Sequence, residues 1–183
     1  EEMREDPQSV TIIGSSSPGS MEHLKFAQFA KEAGVDITKI KYVSEQDGGE
    51  ITALLNGSVD VFSTSVSQTI EQAKAGNIKV LAITAAERLD GDAAVFPTAM
   101  EQGINSTYIN WRGFFGPKNM PEEALRYYEQ KFKELTETDA WKQVRANYGW
   151  NDMYMGHEEY VDFLQNQVEI TSAILSELGI ERK

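Results

Sequence analysis

The sequence predicts an α/β fold in which a parallel sheet is covered by helices, continued by a mainly helical segment. Two observations carry this. Between residues 10 and 84, short apolar runs alternate with helical patterns across brief links, the spacing of a parallel sheet with helical crossovers. Near residues 105–121 the composition changes, and the remainder reads as helix apart from one short stretch, NDMYM. With 183 residues, 40% hydrophobic and 25% charged, the chain has enough apolar surface for one core or two small ones.

The elements follow in order. SVTII is a β-branched run before a turn cluster, hence a buried strand. Phe26, Phe29, Ala30 and Ala33 fall at helical spacing, and Gly34 supplies the stop. TKIKYV alternates as a second strand, SEQDGG is a loop, and EITALLN before Gly57 is a short helix. VDVF is a third strand. The loop STSVS opens a helix carrying Val66, Ile70 and Ala73 that ends at Gly76, and IKVLAIT reads as a strand buried on both faces. FPTAMEQG suggests a small turn-and-helix element, and YINWRGFFGP an aromatic strand whose Trp111, Phe114 and Phe115 belong in a core. Three helices close the chain, from Pro121 to about Leu135, around Trp141–Tyr148, and from about His157 to Leu178. In the last, Tyr160, Phe163, Leu164, Thr171, Ile174, Leu175 and Leu178 form an apolar stripe that needs a cover. Packing against a second copy of the chain is the expectation for that stripe.

Charge narrows the choice of partner. A net charge of -12 argues against nucleic acid or an anionic membrane, both of which require a basic surface. Small anions stay open, because local N–H arrays bind them irrespective of net charge. No cysteine is present, so disulfides, thiolate nucleophiles and cysteine-ligated zinc are ruled out. No run approaches a membrane span, and the opening EEMREDPQSV carries no secretion signal, which leaves a cytoplasmic chain or a processed or partial one.

The segment GSSSPGS occupies the strand-to-helix corner where open α/β sheets bind ligands. Serines offer hydroxyls and amides, glycines let the backbone approach an anion, and Pro18 could start a helix capped by Ser17. A carboxylate or phosphate is the natural guest of such a corner, although a plain capped turn would look the same. SEQDGGE and STSVS follow neighbouring strands with similar residues, and three such loops on one edge predict a cleft. Asp60 reads as a hydrogen-bonded structural aspartate. Enzyme patterns are weak: the G-x-S-x-G elbow fails because Pro18 stands at its last position, no G-K-[ST] follows, and His23 and His157 lack metal-pair spacing. A hydrolase built on Ser16 and His157 remains as a third reading, tested by Ser16→Ala.

Five segments, DPQSVTIIGSSSPGSMEHL, YVSEQDGGEITALLNGSVDVF, AGNIKVLAITAAERL, FPTAMEQG and NWRGFFGPKNMP, resemble in order and spacing the solute-binding proteins of tripartite tricarboxylate transporters. GHEEYVDFLQNQ and LSELGI resemble that family's C-terminal end. The resemblance implies a type II periplasmic-binding-protein-like α/β fold. Residues 1–108 would be the second α/β lobe, and 109–183 a return strand and helices completing a first lobe whose N-terminal part is absent. It also implies a non-enzymatic receptor that captures a small organic carboxylate of di- or tricarboxylate type for membrane transporter subunits, in the periplasm or lipid-anchored at the cell surface. No cofactor, metal or nucleic acid is implied, and without the first-lobe loops binding should be weak. The implied ligand-binding residues are Ser15, Ser16, Ser17, Gly19, Ser20, Asp47, Gly48, Ser63 and Ser65. At 44–45 the chain carries Ser44 and Glu45 where relatives often have proline and an aromatic. A ligand-sensing domain of a transcription regulator shares the fold and is the alternative; a basic helical module upstream would mark it.

Overall fold

The computed structural model describes residues 1–45 and 47–180; Gln46 of the expected SEQDGG loop lies outside them. The chain forms two compact units, Glu1–Ile109 with Glu169–Lys183, and Asn110–Val168.

The first unit contains α1 (Glu2–Glu5), β1 (Thr11–Gly14), α2 (Met21–Glu32), β2 (Lys41–Ser44), α3 (Glu50–Leu55), β3 (Val61–Phe62) and α4 (Val66–Lys74). Its three strands pair in parallel in the order β2-β1-β3. Strand β1 is central because SVTII is the most β-branched run, and Ile12 and Ile13 are buried within it. Register is fixed by Ile12 opposite both Tyr42 and Val61, and by Gly14 opposite Ser44. Gly34, Gly57 and Gly76 take φ of +80°, +76° and +74° just past α2, α3 and α4, as their reading as helix stops requires.

Two apolar clusters flank this unit. Leu24, Ala27 and Ala30 of α2 meet Ile37, with Phe26, Val35 and Ile40 against them. Val66, Ile70 and Ala73 of α4 cover Ile83, Ala93 and Phe96. The face buried on α2 is thus turned from the expected Phe26–Phe29–Ala30–Ala33 stripe toward Leu24 and Ala27, since its first turn is enclosed by loops.

Several expectations are corrected. Residues 78–84 do not form a sheet strand: Ile83 makes one bridge to Thr98, its amide donating to Pro97 and its carbonyl accepting from Ala99, while Leu81 is exposed. A ladder needs a partner of matching length, and β3 has two residues. TKIKYV gives up its start to a 3-10 turn over Ile37–Lys39, because Asp36 accepts from both the amide (3.1 Å) and hydroxyl (2.6 Å) of Thr38. FPTAMEQG is a tight turn preceded by a 3-10 helix over Gly91–Val95. Helix α2 starts at Met21, not at Pro18, because Gly19 sits at φ +84° and the Ser20 amide closes a turn onto the Ser17 carbonyl.

The second unit holds α5 (Glu122–Glu137), α6 (Asp139–Tyr148) and the start of α7 (His157–Glu177). Thr138 caps α6 by accepting from the Trp141 amide, and Gly149 ends it at φ +64°. YINWRGFFGP and NDMYM form no strand here, for want of a neighbouring ladder. Rings pack instead: Trp111 edge-on to Tyr160 and Phe163, and Phe114 stacked on Phe132 at 4.5 Å. The expected core placement of Phe114 and Phe115 is also corrected, since both are more than two-thirds exposed.

The stripe of α7 finds part of its cover within the chain. Ile174 is buried in the Leu24–Ala27–Ala30–Ile37 cluster, with Leu175 and Leu178 beside it, so this end needs no second copy. We predict that Ile174→Ala costs about 2–5 kcal/mol through the cavity it leaves, whereas Phe115→Ala changes stability by less than about 0.5 kcal/mol. Equal losses for the two variants in urea unfolding would contradict this packing.

Candidate functional site at the serine loop

Parallel pairing places the ends of β1, β2 and β3 on one edge, so the loops that follow them, at 15–20, 45–49 and 63–65, are neighbours. Strand-to-helix loops at this edge present backbone N–H groups and helix N-termini.

The serines of the first loop converge on a carboxylate belonging to the protein. Glu22, in the first turn of α2, is 4% exposed. Its Oε1 accepts from Ser15 Oγ at 2.9 Å, and its Oε2 accepts from the Ser16 amide at 2.9 Å, Ser16 Oγ at 3.1 Å and Ser15 Oγ at 3.0 Å. Hydrogen bonds to a charged group contribute roughly 1.5–3 kcal/mol each, which offsets the desolvation of one acid. Acidic residues are also favoured near a helix N-terminus.

Behind this acid lies an aromatic brace. Tyr42 of β2 donates to the Ser16 carbonyl at 2.8 Å and stacks on His23 at 4.5 Å, while His23 Nδ1 accepts from the Gly19 amide at 2.9 Å. Gly14 has to be glycine: an added Cβ would lie 2.1 Å from Tyr42 Oη and 2.9 Å from Glu22 Oε2. Burial lowers the pKa of His23 and raises that of Tyr42, the latter helped by the Glu22 charge and opposed by the bond to Ser16.

The third loop is tied to the same helix. Ser63 is buried, and its hydroxyl donates to the Glu22 carbonyl at 2.9 Å. Lys25, one turn along α2, donates to the Thr64 carbonyl at 2.6 Å. Burial pulls its pKa down to about 8, against the opposing pull of Glu22. Ser65 sits at the N-cap of α4 and bonds to Ser67 and Gln68, and Asp60 accepts the Thr11 amide at 2.8 Å in the structural role read for it.

Of the nine expected ligand-binding residues, Ser15 and Ser16 come together on Glu22, Gly19 on His23, and Ser63 on α2. Ser20 caps α2 by position without a side-chain bond to the helix. Ser17 is exposed at the loop tip. Asp47 and Gly48 are exposed, the Asp47 amide donating to Glu45 at 3.1 Å and Gly48 having φ +80°. Sequence reading missed Glu22, Tyr42 and Lys25; an acid in the first turn after a serine corner was the available signal for the first. The Ser16 hydroxyl donates to the Glu22 carboxylate, and His23 Nδ1 is engaged by the Gly19 amide. Among the described residues, no cluster of three acids or histidines is placed to hold a metal ion.

Two predictions follow from this geometry. Gly14→Ala should destabilise the protein by about 1–3 kcal/mol through overpacking, and adding Tyr42→Phe, which removes the oxygen in closest conflict, should recover part of the loss. No recovery would mean that the clash is not the cause. For Lys25, the folded pKa lies below its ordinary 10.5, so the unfolded chain binds more protons between pH 8 and 10.5. The stability difference between the wild type and Lys25→Met should therefore rise across that window, by up to about 3 kcal/mol. A flat difference would contradict the burial of the ammonium.

Comparison with known proteins places this arrangement. The family model described as the tripartite tricarboxylate transporter family receptor, TctC, matches residues 1–180. A UPF0065 protein of Bordetella pertussis is 23% identical over 92% of this chain and 51% of its own length, and protein BugT of the same organism is 23% identical over 90% and 50%. The chain thus spans about half the length of the curated relatives it matches. Among solved structures, a TctC solute-binding protein from Polaromonas superposes with a TM-score of 0.76 at 18% identity, over 97% of this chain and 60% of that one. An R. palustris protein with adipate superposes equally well, with a TM-score of 0.76 at 19% identity over 97% and 58%. These superpositions show the type II periplasmic-binding-protein-like α/β fold, and the match over residues 1–180 means that the chain belongs to the TctC family of tripartite tricarboxylate transporter receptors.

Proposed function

We propose that the protein is a receptor that captures a small organic carboxylate, of di- or tricarboxylate type, outside the cytoplasm and hands it to the membrane subunits of a tripartite tricarboxylate-type transporter. The observation that carries this reading is the single edge on which three strand-to-helix loops meet, in a chain of this family. Ser17, Gly19, Ser20, Asp47, Gly48 and Ser65 of that edge are the proposed ligand-facing set, with Ser17, Asp47 and Gly48 exposed, Ser15 and Ser16 engaged by Glu22, and Ser63 bracing the loop from behind. Adipate, present with the R. palustris relative, is a dicarboxylate and so a fitting first probe. The role is that of a binding protein without a reaction step.

The second unit supports a two-lobed arrangement. None of the described residues of Asn110–Val168 is fully buried, and Phe114, Tyr127, Tyr148 and Trp150 lie open. Apolar surface on that scale marks an interface. Residues 109–183 are therefore proposed as the return segment of a first lobe, with the end of α7 packed on α2.

Thermal unfolding of the full-length gene product against mono-, di- and tricarboxylates tests the function. A ligand at a hundred times its dissociation constant adds about 2.7 kcal/mol of stability. We expect a shift with selected acids and none with chloride, lost in Ser17→Trp, which places a bulky side chain at the exposed tip of the edge. No shift with any acid would overturn the receptor reading.

A further inference from the structure

We propose that Glu22 is a specificity-determining residue: its carboxylate reserves the Ser15–Ser16 array for the protein's own acid, and a free carboxylate is accepted by these donors only when Glu22 is removed. The donors are loop atoms, two hydroxyls and one amide, and not the amides of the α2 N-terminus. All three point at Glu22 within 3.1 Å. The enclosure is shaped around that charge. The hydrogen of Gly14 is all that fits between it and Tyr42, and Tyr42 holds the Ser16 carbonyl by a 2.8 Å hydrogen bond.

A planar two-oxygen acid is what this array binds, since the Ser15 hydroxyl lies within reach of both oxygens and the Ser16 amide and hydroxyl both reach one of them. A ligand carboxylate of the same chemistry competes with an internal one tethered at very high effective concentration, and loses. It is also repelled, because a second carboxylate would stand beside a like charge over one set of donors. Glu22 therefore directs an incoming acid to the exposed donors of the edge. As a statement about ligand choice this rests on the receptor reading; as a statement about the array it stands on the hydrogen bonds alone.

Formate is the probe, because it carries the carboxylate of Glu22 with nothing behind it. Glu22→Ala leaves the donors facing a space of the right chemistry. Thermal unfolding of the wild type and Glu22→Ala, titrated to about 0.1 M formate at ionic strength held constant with chloride, should show a saturable rise in Tm for the variant. The wild type should respond at least about tenfold more weakly, and Ser15→Ala with Ser16→Ala in the variant background should abolish the rise. A folded Glu22→Ala whose Tm does not move overturns the proposal, as does a wild type that responds equally. Should Glu22→Ala not fold, Glu22→Ser is refolded in formate and in chloride. Recovery in formate alone supports the proposal, and failure in both, or equal recovery in both, overturns it. A silent variant beside a wild type that still responds to longer acids would sink this inference alone, whereas a wild type silent to every acid would sink the receptor reading and leave the formate result standing by itself.

Discussion

Everything at the edge where the three loops meet depends on β1 being paired on both sides. Its ladder with β2 sets Gly14 beside Ser44, and its ladder with β3 carries the chain on to Ser63 at the same end. A one-residue slip would send Ile12 and Ile13 to the wrong faces and carry the serine loop away from Tyr42. The Thr11 amide is pinned by the Asp60 carboxylate, and the Asp60 amide donates back to the Thr11 carbonyl at 3.0 Å. That reciprocal clamp lies at the start of β1, opposite the edge where the loops meet.

From this register follows a buried polar layer over one end of α2. Glu22, His23 and Lys25 occupy successive directions around the helix and reach two loops: Glu22 the serines and His23 the Gly19 amide of the first, Lys25 the Thr64 carbonyl of the third. Such a layer does not gain stability from its charges as such, because desolvation consumes most of their attraction. What it fixes is geometry. With each buried group satisfied by a particular backbone atom, the loops have one low-energy arrangement, and removal of any partner leaves a buried charge exposed to its full desolvation cost.

Local signals explain which parts were legible in the sequence. Strand β1 and helices α2 to α7 were readable because β-branched runs, apolar spacing and glycines at positive φ act within a few residues. Residues 78–84 and 108–117 were read as strands on composition alone, and composition cannot supply the partner that a ladder requires; Tyr108 pairs with Thr84 through its amide and carbonyl. At the site, the serines were read as a corner for a ligand's carboxylate, whereas the carboxylate that Ser15 and Ser16 bond in the structure is the protein's own. Its origin was hidden, because it depends on Glu22 reaching back from a helix that starts three residues later than Ser17 and Pro18 suggested. The brace by Tyr42 was beyond reach for another reason, since it joins residues 26 positions apart through the register of β1 and β2.

Net charge does not oppose an acidic guest at this edge as strongly as its value implies. The excess of 29 acidic over 17 basic residues gives -12 over the whole chain, yet exposed charges are screened beyond about 8 Å at physiological ionic strength. Within that radius the local groups decide. Glu22 is buried against the loop donors, while Lys25 is the buried ammonium among the described residues and reaches the neighbouring loop from the same helix. With its pKa held near 8, Lys25 stays mostly protonated at neutral pH, so the helix presents a carboxylate and an ammonium whose charges offset each other.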